Sequence, residues 1–210
     1  MKTETEIRPA RSRVVWLLFI IAGITALLVA FFLDYRVAAW ISANSSPEVK
    51  QAMRIISRVG DWPAHAIIGV IGIATAFLLK NKDWLRIFLA MLVALALAGL
   101  AARVIKIGTG RARPSVKTEA PWNGPQLSSK YHAFPSGHTA SSTAFFVALF
   151  LARKKIGGPL LLIPALIACS RMILGAHYLS DITMAAILGI FCGLLATRWT
   201  LPVPSSIGGH

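Results

Sequence analysis

Six apolar segments, at about 14–33, 63–80, 85–105, 136–153, 159–176 and 181–199, take up most of this 210-residue chain. A helix needs roughly 20 mainly apolar residues to cross the hydrocarbon core of a bilayer, and inside that core each backbone polar group must be paired internally. The expected fold is therefore an all-α integral membrane protein, a six-transmembrane-helix bundle. Composition agrees, because 56% of the residues are hydrophobic and the mean hydropathy is +0.66, values rare in a soluble domain. The stretches between segments are too fragmented for a second domain. Residues 1–210 read as one membrane domain with a short basic N-terminal tail at about 1–13 and a loop at about 106–135.

The first segment follows Arg8, Arg11 and Arg13, as the apolar part of a secretory signal would. Such regions run about 7–15 residues and end at a small-residue cleavage site. Here the apolar run continues to Leu33 and Val37-Ala38-Ala39 is a poor match, so a retained first helix is expected.

The net charge of +14 is spread over tails and loops, which gives no nucleic-acid-binding face. With the N-terminus inside, Lys2, Arg8, Arg11, Arg13, Lys80, Lys82, Arg86, Arg153, Lys154, Lys155 and Arg198 crowd into short stretches on the cytoplasmic side. The opposite side carries an equal number, Arg36, Lys50, Arg54, Arg58, Arg103, Lys106, Arg111, Arg113, Lys117, Lys130 and Arg171, diluted over longer loops. The positive-inside rule then places both termini in the cytoplasm.

Three fragments fall on the other face by helix parity. In the first, Lys106, Arg111 and Arg113 follow an apolar helix, and Pro114 stops its continuation. Basic residues at a helix end commonly snorkel to lipid headgroups, but here they sit on the side poorer in charge, where they can hold an anion. In the second, Pro135-Ser136-Gly137-His138 opens an apolar helix. Ser136 or Thr139 can cap it; equally, Gly137 lets a backbone N–H approach a phosphate at a positive helix N-terminus. In the third, His177 and Asp181 are four residues apart, so on a helix the carboxylate can hold the imidazole and leave its other nitrogen free as a nucleophile. A polar pair can also act as glue between helices, yet ionisable residues in membrane segments are costly and tend to be functional. His138, His177 and Asp181 could supply three metal ligands, but Lys106, Arg113 and Arg171 would repel a divalent cation and neutralise a phosphoryl group instead. Together the fragments read as a phosphate-processing site in a membrane protein.

The order and spacing resemble the type 2 phosphatidic acid phosphatase superfamily. Six residues separate Lys106 from Arg113-Pro114, Pro135 to His138 supplies the PSGH, and Ser170-Arg171 is followed by five residues, His177, three residues and Asp181. Leu179 stands where many members have proline. The resemblance implies that His177 attacks phosphorus and forms a phosphohistidine, with Asp181 orienting it. His138 acts as general acid and then as base for water. Lys106, Arg113, Ser136, Gly137 and Arg171 bind the nonbridging oxygens, and no metal or other cofactor is required. It further implies a lipid phosphomonoester or diphosphate as substrate, such as undecaprenyl diphosphate, phosphatidylglycerol phosphate or phosphatidate. Lipid A dephosphorylation or phosphate transfer to another lipid is the alternative, and a non-catalytic anionic-lipid binder or transporter is a third reading. The expected location is a bacterial inner membrane with the site facing the periplasm or exterior.

Some features stay open. Residues 47–58 put Val49, Ala52, Met53 and Ile56 opposite Lys50, Arg54, Ser57 and Arg58, as an interfacial helix or one packed on the bundle would. Trp122, Tyr131 and Phe134 could line a headgroup entrance or sit in an aromatic belt. Gly189 and Gly193 suit dimerisation or packing within the bundle, so the oligomeric state is not fixed. Cys169 and Cys192 lie in apolar segments and imply no disulfide; His65, beside Asp61, reads as an interfacial polar residue, and a loop position suffices for His132.

Overall fold

Alanine spacing decides how closely the central helices approach. In the computed structural model, which describes residues 4–116 and 118–201 with side chains from Val14 onward, Ala90, Ala94, Ala98 and Ala102 recur every fourth residue and are fully buried. They lie on α4 (Lys82–Thr109), and their small faces let α5 (Gly137–Ala152) and α8 (Leu179–Thr200) pack directly against it. Helix α5 is the centre of the bundle, buried from Thr139 to Leu149. The core joins Ile87, Met91 and Leu95 of α4 to Phe145 and Phe146 of α5 and Cys192 of α8. Gly189 and Gly193 serve this packing: a Cβ at Gly189 would lie 2.7 Å from the Ala140 carbonyl oxygen, and one at Gly193 would lie 2.8 Å from Val147.

The remaining helices wrap this core. Helix α1 (Glu4–Asn44) runs far beyond the expected end at residue 33, and its Leu, Ile and Phe side chains are largely exposed, as suits a lipid-facing helix. Helix α2 (Pro47–Val59) packs on α7 (Leu162–Ile173), and α3 (Trp62–Leu78) packs on α4. A bend of 42° separates α2 from α3. The bend centres on Gly60, whose missing side chain admits Ile167 of α7. Helix α6 (Lys154–Leu160) continues into α7 after Leu161, so the two form one span of 20 residues.

Among the described residues, four helices are long and apolar enough to cross a membrane, and a fifth span results if α2 and α3 are taken together. Helix α5 is apolar but only 16 residues long. The protein is an integral membrane protein, all-helical among the described residues. Lys2, the side chains of Arg8, Arg11 and Arg13, the whole of Lys117 and the terminal Gly208-Gly209-His210 lie outside the described residues. Both cysteines are free.

Candidate active site

Three fragments far apart in sequence are stitched together by backbone hydrogen bonds at one end of the bundle. The Ala133 N–H donates to the Arg111 carbonyl at 3.0 Å, and the Ala133 carbonyl accepts from Nδ1 of His177 at 2.7 Å. The Ser136 N–H donates to the Asp181 carbonyl at 3.2 Å, and the Ser115 N–H to the Gly175 carbonyl at 3.2 Å. Helix α4 stops because Gly110 adopts φ +55°, and a Cβ there would fall 1.8 Å from the Gly124 carbonyl oxygen. The turn lets residues 121–134 fold back along 110–113, with Ala112 N–H bonded to the Pro121 carbonyl and Arg113 N–H to that of Lys130.

His177 is buried, and its tautomer follows from its partner. A carbonyl only accepts, so Nδ1 carries the ring proton and Nε2 keeps its lone pair. Asp181 holds the ring less directly than an i,i+4 helical pair would. His177 precedes α8, and Asp181 Oδ2 lies 3.6 Å from Nδ1, too far for a hydrogen bond. That oxygen instead accepts from the Tyr178 N–H at 2.7 Å and so caps α8. Ala133 thus orients the imidazole, while Asp181 stands by as a negative charge.

Burial pushes the His177 imidazole down to about 4, against the opposing pull of Asp181. Free histidine titrates at about 6.5. As pH falls through the window from about 6.5 to about 4, the unfolded chain binds a proton here that the folded chain refuses, so folding stability declines with acidification. Thermal denaturation at pH 7 and pH 5 should therefore show a larger acid-induced loss for wild type than for His177→Gln; equal losses would contradict this assignment.

Lys106 and Arg171 lie near this ring, and Arg113 lies near both of them and near Asp181. A Cβ on Gly137 would sit 3.4 Å from Lys106 Nζ, which puts the ammonium at the N-terminus of α5. Lys106 lies within electrostatic reach of Arg113 and Arg171, and His177 within reach of Lys106 and Arg171. Arg171 donates to Ser57 of α2 at 2.6 Å. The Nε atoms of Arg111, Arg113 and Arg171 are all buried with no hydrogen-bond partner among the described residues, a cost of about 1–3 kcal/mol each; at Arg113 and Arg171, which have no carboxylate on the guanidinium, an oxyanion would relieve it. Ser136 is fully buried and accepts from the Thr139 hydroxyl at 3.1 Å, which leaves its own proton to donate.

His138 has a partner that its sequence neighbours do not suggest. Its Nε2 lies 3.2 Å from Asp61 Oδ1, at the start of α3. His65, expected at the interface, is instead a core residue: Nδ1 donates to the Asp61 carbonyl at 3.0 Å, and the ring meets Phe145 and Phe146 edge-on. His132 is also buried, its Nε2–H donating to the Gln126 carbonyl at 2.8 Å.

Arg111 does not join the other cations. It is 3% exposed and donates to Asp34 Oδ2 and Ser180 Oγ at 2.6 Å each, with a further ion pair to Asp181. Its guanidinium carbon lies 4.4 Å from the Tyr178 ring centroid and 4.8 Å from that of Trp122, with Phe31 and Phe134 beyond. Trp122 and Phe134 therefore build a cage around Arg111. Asp34 also accepts from the Ser180 N–H at 2.8 Å, which ties α1 to the start of α8. An acidic residue directly after an apolar run was the available signal for Asp34.

A groove of about 820 Å³ opens beside His138 at the start of α5. Lys106, Gly137 and His138 line one end, and Val70, Leu92 and Leu100 line the remainder between α3, α4 and α5. Among the described residues, no three His, Cys, Asp or Glu side chains gather as a metal site.

Residues 87–203 match the PAP2 superfamily. The chain belongs to that family. The PAP2 match begins within α4, so Asp34 and Asp61 both precede it. Over 174 residues the chain is 30% identical to the decaprenylphosphoryl-5-phosphoribose phosphatase of Mycobacterium tuberculosis, covering 76% of this chain and 88% of that one. It is also 30% identical over 119 residues to the lipid A 1-phosphatase of Rhizobium johnstonii, covering 54% of this chain and just 47% of the relative. The fold is similar to that of the transmembrane PAP2 type phosphatidylglycerolphosphate phosphatase from Bacillus subtilis, with a TM-score of 0.64, 21% identity, and coverage of 85% of this chain and 94% of that one.

Proposed function

We propose that this PAP2 protein is an integral-membrane lipid phosphatase that hydrolyses the terminal phosphate of a lipid phosphomonoester or diphosphate through a phosphohistidine on His177, without a metal ion. The observation that carries this reading is the groove joining Lys106 and His138 to Val70, Leu92 and Leu100. One end suits a phosphate and its leaving oxygen. The other suits a hydrocarbon chain, and it lies between helices where a lipid can keep its tail in the bilayer.

The chemistry follows from the donor set. Nε2 of His177 attacks phosphorus, while Lys106, Arg113, Arg171, the Ser136 hydroxyl and the N-terminus of α5 at Gly137 take up the charge on the nonbridging oxygens. The bond from phosphorus to the lipid oxygen breaks with its electron pair on that oxygen, and His138 protonates it. Water then attacks the phosphohistidine, His138 takes its proton, and His177 departs as the neutral ring. Asp181 offsets the positive charge that His177 carries while bonded to phosphorus. Three cations perform the neutralisation that a divalent metal performs elsewhere.

In this reading the bundle crosses the membrane six times, with α5 as the sixth span, sheltered by α4 and α8. Both termini are cytoplasmic and the site faces the exterior or periplasm of a bacterial inner membrane. The end opposite the site supports that orientation, because Arg153 there pairs with Asp83 at 3.9 Å among Lys80, Lys82, Arg86, Lys154 and Lys155.

Phosphate release by the purified protein in detergent with EDTA tests the proposal across undecaprenyl diphosphate, phosphatidylglycerol phosphate, phosphatidate, decaprenylphosphoryl-5-phosphoribose and lipid A. Lipid A tests the alternative drawn from the sequence, and the Rhizobium relative adds support for including it. At least one lipid is expected to turn over in the chelator. Transfer of phosphate to a second lipid, with no release, would replace hydrolysis by phosphotransfer.

A further inference from the structure

The site contains two histidines, and the motif that supplies them includes one carboxylate, Asp181. The second carboxylate comes from outside the motif. Asp61 stands at the Gly60 bend between α2 and α3, where Gly60 lies against Ile167 of α7 and so fixes the start of α3. From there Asp61 Oδ1 reaches Nε2 of His138 at 3.2 Å, and both residues line the same groove.

We infer that Asp61 is a positioning residue for the acid–base histidine, holding His138 through Nε2 so that Nδ1 faces the leaving oxygen and later the attacking water. The inference rests on the proposed reaction. A carboxylate only accepts, so the proton of Nε2 points at Asp61 and the proton that moves in catalysis is carried by Nδ1. In the first step Nδ1–H passes its proton to the lipid oxygen as the phosphorus–oxygen bond breaks. In the second, the emptied Nδ1 takes a proton from water as the phosphorus–nitrogen bond to His177 breaks. Asp61 gains and loses nothing in either step; it offsets the imidazolium charge. That charge needs an offset, since Arg171 of α7, Lys106 of α4 and His177 ahead of α8 all face His138, and Asp61 is the nearby acid among them.

The plain structural role of Asp61 is the cap of α3, where Oδ1 accepts from the Trp62 N–H at 2.8 Å. Asparagine caps a helix as well as aspartate does. Asp61→Asn therefore removes the charge that offsets the imidazolium while keeping the cap and an acceptor for Nε2–H, which separates that charge from the structural role.

The test is rapid-quench measurement of His177 phosphorylation and its decay in wild type, Asp61→Asn and Asp61→Glu, with thermal stability measured alongside. Two probes are used. Octyl phosphate has an alkoxide leaving group that must be protonated; p-nitrophenyl phosphate leaves as a stable anion and needs no acid. General acid catalysis supplies about 10²–10⁴-fold, and Asp61→Asn is expected to lose about 10- to 100-fold of it on octyl phosphate. Phosphorylation from p-nitrophenyl phosphate should change less than about threefold, because no proton is transferred in that step. Since the second step still needs a base, phosphohistidine should accumulate from the aryl substrate in Asp61→Asn, and Asp61→Glu should restore much of the loss. Equal effects on both probes, or no accumulation, would overturn the role of Asp61 alone. Absence of any phosphohistidine in wild type would instead overturn the reaction on which it rests.

Discussion

Replacing Arg111 with methionine is expected to cost about 3–5 kcal/mol of stability, the range for removing one partner of a buried ion pair, and to abolish activity although Arg111 touches no substrate. Arg111 bridges two buried carboxylates, Asp34 on α1 and Asp181 on α8, which are 1% and 0% exposed. Without the guanidinium, both acids face one another across Ser180 with no cation between them. The aromatic rings of Phe31, Trp122, Phe134 and Tyr178 would close on an empty centre. Lysine should fail as a substitute, because a single ammonium on a flexible stem cannot reach two carboxylates at once with the geometry of a planar fork. Thermal unfolding in detergent measures the loss, and Arg111→Met combined with Asp34→Asn should recover part of it. An Arg111→Met protein as stable and active as wild type would remove Arg111 from the scaffold of the site.

His177→Ala is expected to reduce turnover by at least about 10³-fold, the scale on which loss of a covalent nucleophile registers, while leaving the affinity for a lipid phosphate largely intact. In the proposed mechanism the ring contributes Nε2 to bond formation, whereas Lys106, Arg113, Arg171 and Ser136 hold the phosphate, so binding and chemistry would reside in different side chains. A binder or transporter built on the same cations would keep its biological activity in this variant, and that outcome would contradict an enzymatic role. Equilibrium binding of the lipid, measured beside phosphate release, separates the two.

Much of the proposed site is legible in the sequence because it draws on side chains at fixed spacings. Lys106, Arg113, Ser136, His138, Arg171, His177 and Asp181 meet in space, held there by the backbone pairs at Ala133, Ser136 and Ser115. The support around them is less legible. A backbone carbonyl such as that of Ala133 leaves no trace in residue type, so spacing and the family resemblance both point to Asp181 as the group that orients His177. By position Arg111 reads as a cation beside Lys106 and Arg113 that could hold an anion, because its carboxylate, Asp34, lies far back in the chain. In sequence Asp61 is merely a neighbour of His65; in the structure its side chain turns to His138 and its carbonyl serves His65.

The spans show the same division. Apolar runs locate the helices, but their ends depend on tertiary partners. Helix α1 continues past Leu33 because Arg111 neutralises Asp34 and Arg36 lies over the Phe32 ring, 5.2 Å from its centroid. Periodicity puts Ser57 on the polar face of a helix that is either interfacial or packed on the bundle; α2 packs on α7, and Ser57 is buried there with Arg171 bonded to it.

The most direct test of the proposed chemistry is to trap the intermediate. Purified protein is mixed with a lipid carrying a labelled terminal phosphate in the presence of EDTA, quenched in alkali and digested. The expected result is an acid-labile, alkali-stable phosphoryl group on the peptide that contains His177, forming and decaying fast enough to support steady phosphate release. Phosphate release with no labelled peptide, or release that stops in EDTA and returns with magnesium, would contradict a metal-free phosphohistidine mechanism.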